Sequence, residues 1–273
     1  FEVSNLAKLG AKEIILLGQN VNAYKSTNFS KDRVQFSDLI RYISHIDGIE
    51  RIRHTTSHPI DFGGDLIEEY KNPKLANNLH LPVQSGSDNI LMRMKRKHTS
   101  LEYKSIIRKI RKIRPDIHLT SDFIIGYPGE TDSEFQETMD FISDVNFTDA
   151  YSFIYSPRPG TPATLEKDNV SMETKKNRLH ELQSLIKEQS ISYSKRMYGT
   201  RQCVLVEGRS KKKSSEYFGR ASNNKIINFK SKENFIGHFV DVEITSVMQN
   251  IVYGEIINQD LEKEKHNKRA AVA

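Results

Sequence analysis

The sequence predicts an α/β chain: a parallel sheet or barrel followed by a small all-β barrel. Residues 1 to about 165 alternate short apolar runs with amphipathic segments, the pattern of strand–helix–strand units. A long helical pattern over 171–197 follows and stops at Gly199. Beyond about Thr200, five short strand-like runs are separated by Gly, Asn, Ser and Lys turns, as in a small barrel of the OB type.

Taken in order, the expected strands of the first part are 13–17, 51–56, 78–83, 118–125 and 149–155. Each is a short apolar run bounded by turn residues. Helices are expected over 37–45, 64–70, 89–94, 101–113 and 132–145. In the fourth, Ile106, Ile107, Ile110 and Ile113 recur at helical spacing, with Lys104, Arg108, Lys109, Arg111 and Lys112 opposite them. Thr131 and Glu134 form the sequence signature of a capping box opening the fifth. The segment Ser156-Pro157-Arg158-Pro159-Gly160-Thr161-Pro162 closes this part, because its prolines continue neither strand nor helix. The long helix carries Leu179, Leu182, Leu185 and Ile186 on one stripe. The last five strands are expected over 202–207, 217–221, 226–229, 239–244 and 251–256, and the polar stretch 259–273 is expected to be disordered.

Composition narrows the class. The chain is long enough to bury a sizeable core, its 37% hydrophobic and 28% charged residues are ordinary for a globular protein, and no stretch approaches the roughly 18–20 uninterrupted apolar residues of a spanning helix. It begins Phe1-Glu2-Val3-Ser4-Asn5, which reads as an internal start without a signal pattern. One cysteine, Cys203, excludes an intrachain disulfide framework and fits a reducing cytoplasm. The net charge of +6 is unevenly placed: residues 1–194 hold 26 basic and 26 acidic groups, whereas 195–258 hold 11 and 6. A compact basic module favours a phosphate backbone, since each neutralised phosphate releases counterions.

The residues with chemical potential sit where parallel strands end, the side on which such folds place their sites. Gly18-Gln19-Asn20 supplies amide donors and acceptors suited to a zwitterion. Gln84-Ser85-Gly86-Ser87 combines a turn, two hydroxyls and the free amides of a helix start. Asp122 interrupts an apolar strand, so its carboxylate either accepts hydrogen bonds from a ligand or meets arginine or backbone donors. His54 and His58 lack the Cys or His-Glu-x-x-His context of a zinc site, and no P-loop word occurs; no metal ligands are assigned.

Together these words resemble the radical S-adenosylmethionine (SAM) domain of the methylthiotransferase family. They are Leu17-Gly18-Gln19-Asn20-Val21-Asn22-Ala23-Tyr24, Thr55-Thr56-Ser57-His58-Pro59, His80-Leu81-Pro82-Val83-Gln84-Ser85-Gly86-Ser87, Met94-Lys95-Arg96, the stretch 121–131, and Tyr155-Ser156-Pro157-Arg158-Pro159-Gly160-Thr161-Pro162. Residues from about 195 to 258 resemble the family's TRAM domain, through Val204-Leu205-Val206-Glu207-Gly208 and Gly219-Arg220. The resemblance implies an incomplete (β/α) radical SAM partial barrel over 1–170, a connecting helix over 171–198 and an OB-like TRAM barrel over 199–258. The chain would then open on the helix that follows the first barrel strand. The word Gly18-Gln19-Asn20-Val21-Asn22 with Tyr24 resembles the MiaB-type branch, which adds a methylthio group to C2 of N6-isopentenyladenosine beside the tRNA anticodon.

By the same resemblance, Gly18, Gln19 and Asn20 are expected at the methionine amino group of SAM. Gln84, Ser85, Arg96 and Asp122 are expected at its ribose and carboxylate, for which an arginine fork and amide or carboxylate acceptors suit. Ser57, His58, Arg158 and Arg220 are expected to face the RNA substrate. The family holds its [4Fe–4S] clusters through a Cys-x3-Cys-x2-Cys loop and a further N-terminal domain, neither of which Cys203 replaces. The cluster ligands are therefore expected upstream of Phe1, the chain alone is expected to be inactive, and an electron donor is implied as a partner. The alternatives are a branch acting on threonylcarbamoyladenosine or on a ribosomal protein, and a non-enzymatic RNA-binding remnant.

Overall fold

The computed structural model describes residues 1–27, 31–210, 215–248 and 251–257. The chain divides into two units, Phe1–Ser190 and Ile191–Ala273. The expected disordered tail from 259 lies outside the described residues, as do Lys211, Lys212 and Lys213 of the basic module.

The first unit opens on helix α1 (Glu2–Lys8) and strand β1 (Glu13–Leu16). An antiparallel pair, β2 (Lys25–Thr27) and β3 (Arg33–Gln35), then leads into α2 (Phe36–Ser44). Strand β4 (Arg51–His54), α3 (Gly64–Glu69), β5 (Asn78–His80), α4 (Asp88–Arg93), α5 (Ser100–Ile113), β6 (His118–Ile125), α6 (Asp132–Val145) and β7 (Asp149–Ile154) follow. Reciprocal capping boxes start α5 at Thr99 and Glu102 and α6 at Thr131 and Glu134, satisfying amides that a helix start leaves open.

Strand β1 runs parallel to β4, with Glu13 opposite Arg51. Strands β5, β6 and β7 form a second parallel set, with His80 opposite Thr120 and Asp122 opposite Tyr151. Backbone bonds tie the two sets: Ile52 N–H donates to Lys74 O at 2.7 Å, and Ser57 N–H donates to His80 O at 3.2 Å. The array is a partial (β/α) barrel. One strand face is sealed by the helices: Ile52, Leu79, Leu119, Phe123 and Ile125 pack in one cluster with Ile40, Ile107, Ile110, Phe141 and Ile142. Each such side chain contributes about 1.5–3 kcal/mol on burial. The other face is graded. Thr120, Asp122 and Ile124 on β6 stay half-buried between fully buried neighbours, which leaves room for a site.

Helix α7 (Met172–Arg196) buries Leu182 and Ile186 in the first core and Tyr193 in the second. In the second unit β8 (Arg201–Arg209), β9 (Glu216–Ala221), β10 (Ile226–Lys230), β11 (Phe239–Met248) and β12 (Ile251–Ile256) close a barrel in the order β10-β12-β11-β8-β9. Closure needs tight strand contact, and Gly219 allows it: a Cβ there would lie 2.2 Å from the Leu205 carbonyl oxygen. Among the described residues no helix is long and apolar enough to cross a membrane.

Candidate ligand cavity at the strand ends

A cavity of about 640 Å³ opens at the C-terminal ends of β6 and β7. Its polar lining includes Gln84, Arg93, Arg96, Asp122 and Arg158, and its apolar walls include Met94, Ile124, Tyr127, Phe153, Ile154 and Tyr155. An apolar cleft with a few convergent polar groups is the usual form of a small-molecule site.

Local sequence explains how the polar groups arrive there. Pro82 ends regular strand β5 early, yet the chain beyond stays on the ladder: Gln84 N–H donates to Asp122 O and Ile124 N–H to Gln84 O, both at 2.9 Å. Gln84 adopts φ +79°, a left-handed conformation that is costly for a residue with a Cβ. Ser85 next to it turns away: its hydroxyl lies 3.1 Å from Thr138 Oγ1 on α6 and accepts from Ser87 N–H. Gly86 then passes so close to α6 that a Cβ would meet Phe141 Cβ at 2.5 Å.

Arg96 is placed by the end of α4. Lys95 takes φ +56°, Lys95 N–H donates to Met92 O at 2.9 Å, and Arg96 N–H returns to Leu91 O at 2.8 Å. This is a Schellman-type reversal built without glycine. Nη1 of Arg96 lies 3.2 Å from Nε2 of His58. Burial pulls the Arg96 pKa below its ordinary value and the Asp122 charge opposes that. Asp122 itself lies 3.6 Å from His80 Nε2, while His80 Nδ1 meets Thr120 Oγ1 at 2.9 Å.

The loop Gly126-Tyr127-Pro128-Gly129-Glu130 forms another wall. Gly126 N–H donates to Glu130 Oε2 at 2.9 Å, and Arg178 of α7 grips the same oxygen at 2.9 Å. The Tyr127 hydroxyl lies 2.9 Å from Glu166 Oε1, and burial followed by that carboxylate pushes its pKa up to about 12. Arg93 sits over the Tyr127 ring at 5.0 Å, donates to the Pro128 carbonyl and pairs with Glu166 at 2.5 Å. Glu166 thus ties the proline-rich segment carrying Arg158, Thr161 and Ala163 to the cavity wall.

Of the residues singled out in the sequence, Gln84, Arg96, Asp122 and Arg158 line this one cavity. Gly18, Gln19 and Asn20 do not line it. Asn20 donates to Asp61 at 2.7 Å, and Asn22 clamps the His58 peptide by accepting from its N–H at 2.8 Å and donating to its carbonyl at 2.9 Å. The Gly18–Asn20 turn is therefore sewn to the His58 loop rather than to the cavity. Ser57 is buried with its hydroxyl 3.2 Å from His54 Nδ1, and His54 Nε2 meets the Tyr70 hydroxyl at 3.1 Å. Arg220 lies in the second unit, paired with Glu207 at 2.9 Å. Sequence reasoning left Arg93, Tyr127, Phe153 and Tyr155 without a role. Tyr127 sat inside a quoted word; the Arg93–Glu166 pair has no sequence signal, because 73 positions separate its members.

Comparison with known proteins places these features in a family. The model of the radical SAM superfamily matches residues 2–142, and that of the TRAM domain matches residues 195–257. A protein of Photorhabdus laumondii named tRNA-2-methylthio-N(6)-dimethylallyladenosine synthase is 55% identical over 95% of this chain. The proteins of that name from Actinobacillus succinogenes and Vibrio vulnificus are each 54% identical over the same share. The chain spans 55% of the length of each of these relatives. Among solved structures, coproporphyrinogen III oxidase (HemN) from Escherichia coli, described as a radical SAM enzyme, superposes with a TM-score of 0.52. That match has 14% identity, covers 89% of this chain and 57% of the other, and concerns the fold.

Proposed function

The chain belongs to the radical SAM superfamily, and from that premise we propose that it is the C-terminal part of a tRNA methylthiotransferase acting on N6-isopentenyladenosine beside the anticodon. The observation that carries this is the identity of more than half over 95% of the chain to relatives of that name, together with a cavity whose polar groups suit SAM.

The residues present fit that cofactor. Arg96 is a half-buried guanidinium without an ion pair among the described residues, which suits a carboxylate. Gln84 and Asp122 offer acceptors for ribose hydroxyls, and Ile124, Tyr127 and Phe153 offer apolar surface for a purine. Tyr155 lines the cavity and keeps a buried hydroxyl without a hydrogen-bond partner. The chain does not fit a [4Fe–4S] cluster, since Cys203 is its one cysteine. We place those ligands in the part of the relatives that this chain does not span. With both groups bound, they supply hydrogen abstraction from an unactivated carbon. This chain's own residues bind and orient the cofactor, and the walls around Tyr127 and Phe153 keep water from it.

The barrel unit would grip the tRNA backbone near its anticodon stem-loop, with Arg220 and the basic module facing phosphate. A cytoplasmic setting and an electron donor as partner follow from the same reading. Deleting the gene and analysing tRNA nucleosides by mass spectrometry tests it: the methylthio group should vanish and isopentenyladenosine remain. Retention of the methylthio group overturns the reading. The 273-residue chain, incubated anaerobically with iron, sulfide, reductant and SAM, should release no deoxyadenosine; turnover would overturn the placement of the cluster ligands.

A further inference from the structure

Among the cations that line the cavity, Arg96 has as its side-chain hydrogen-bond partner an imidazole rather than a carboxylate. That imidazole is contested. His58 faces the Arg96 guanidinium through Nε2 at 3.2 Å and the Ile60 N–H through Nδ1 at 3.3 Å. Both neighbours are donors, and a neutral imidazole has one acceptor nitrogen. The charge-assisted contact is the stronger of the two, so the Nε2 lone pair belongs to Arg96. A protonated His58 would set two cations against each other. The ring is held on both sides: Asn22 clamps its peptide, and His98 packs edge-on with ring centroids 5.6 Å apart. His98 is buried with neither ring nitrogen partnered, an expensive arrangement for a side chain that only fills space.

We propose that His58, fixed by Asn22 and walled by His98, is a positioning residue that aims the Arg96 guanidinium at the carboxylate of the bound ligand. This rests on the reading of Arg96 as the carboxylate anchor. Burial holds the pKa values of both imidazoles down, and Arg96 lowers them further. The other charged groups facing them are Asp61 at His58, and Glu102 and Asp88 at His98, which act in the opposite direction.

Two measurements on the 273-residue chain test this. Nitrogen-edited NMR titration of the imidazoles should show the His58 and His98 midpoints rising in Arg96→Gln, with His54 unmoved as the internal control. Unmoved His58 and His98 midpoints overturn the contact. Calorimetric titration with SAM and with its decarboxylated analogue reads the role. His58→Ala should weaken SAM about tenfold, the worth of one charge-assisted hydrogen bond, and leave the decarboxylated analogue unchanged. His58→Gln, which keeps an acceptor oxygen, should restore most of the loss. Equal loss for both ligands, or no loss, overturns the positioning role. A wild-type chain that does not distinguish the two ligands counts against Arg96 as the anchor, and the NMR titration then still decides the contact.

Discussion

Gln84 shows how the cavity is set residue by residue. Its φ of +79° is a conformation that glycine takes freely and other residues take at a cost. The ladder bonds on either side hold it there, and the side chain reaches the cavity. Strain kept at a binding position points to a ligand role, and it separates two substitutions that both remove the amide. Gln84→Gly should be more stable than Gln84→Ala by about 1 kcal/mol, because only glycine escapes the Cβ clash. Both should lose SAM affinity to the same extent. Urea unfolding with calorimetric titration reads the pair, and an alanine variant as stable as the glycine variant would remove the strain from the argument. The chemical identity of this position was legible in the sequence, since an amide beside Ser85 and Gly86 at a strand end is conspicuous. Its backbone conformation was not, because it is imposed by β6, whose partner residues lie about forty positions on.

At the level of elements, periodicity made the alternation of strands and helices readable, and the Thr131–Glu134 box marked the start of α6. Element ends were less so. Strand β4 stops at His54 rather than Thr56 because Thr56 turns to φ +40° and Ser57 bonds to His80 instead. The pair β2 and β3 escaped notice, since three-residue strands carry too little pattern. Contacts between loops, such as Asn22 to His58 or Arg93 to Glu166, depend on the fold and leave no local trace. Helix α6 supports the cavity wall from behind, and Gly86 is where it does so. A Cβ at Gly86 would lie 2.5 Å from Phe141 Cβ and 2.7 Å from Thr138 Cα, and a helix backbone cannot swing aside as a side-chain tip can. Gly86→Ala should therefore destabilise the first unit by about 2 kcal/mol or more. It should also weaken the Thr138 contacts to Ser85 and Gly86. A thermal melt of the variant that matches wild type would show that α6 yields at this point.

For the whole molecule, the buried histidines with lowered pKa predict a pH response in the first unit. His54 is fully buried between Ser57 and Tyr70, and burial lowers its pKa to about 4. His98 also falls to about 4, through burial first and then His58 and Arg96. Both lie in the unit Phe1–Ser190. Unfolded, each returns to about 6.5, so between pH 6.5 and about 4 the unfolded chain binds more protons than the folded one. Stability conferred by these neutral histidines is complete above pH 6.5 and is lost as pH falls through that window. These two sites alone give a slope that approaches about 2.7 kcal/mol per pH unit near pH 5, and the lowered pKa of His58 acts in the same direction. Glu130 works against it, since burial raises its carboxyl pKa and the folded chain takes up that proton early. Glu134 and Glu166 have lowered pKa values and add their losses only below about 4.5. Unfolding in urea between pH 7 and 5 should thus move the transition of the first unit to lower denaturant. The substitution His98→Phe isolates one of these sources. Its ring nitrogens have no partners to lose, so the fold should survive and the slope should fall by about 1.4 kcal/mol per pH unit, the share of one site. A slope unchanged in His98→Phe would mean that His98 is not a source of the acid sensitivity of this unit.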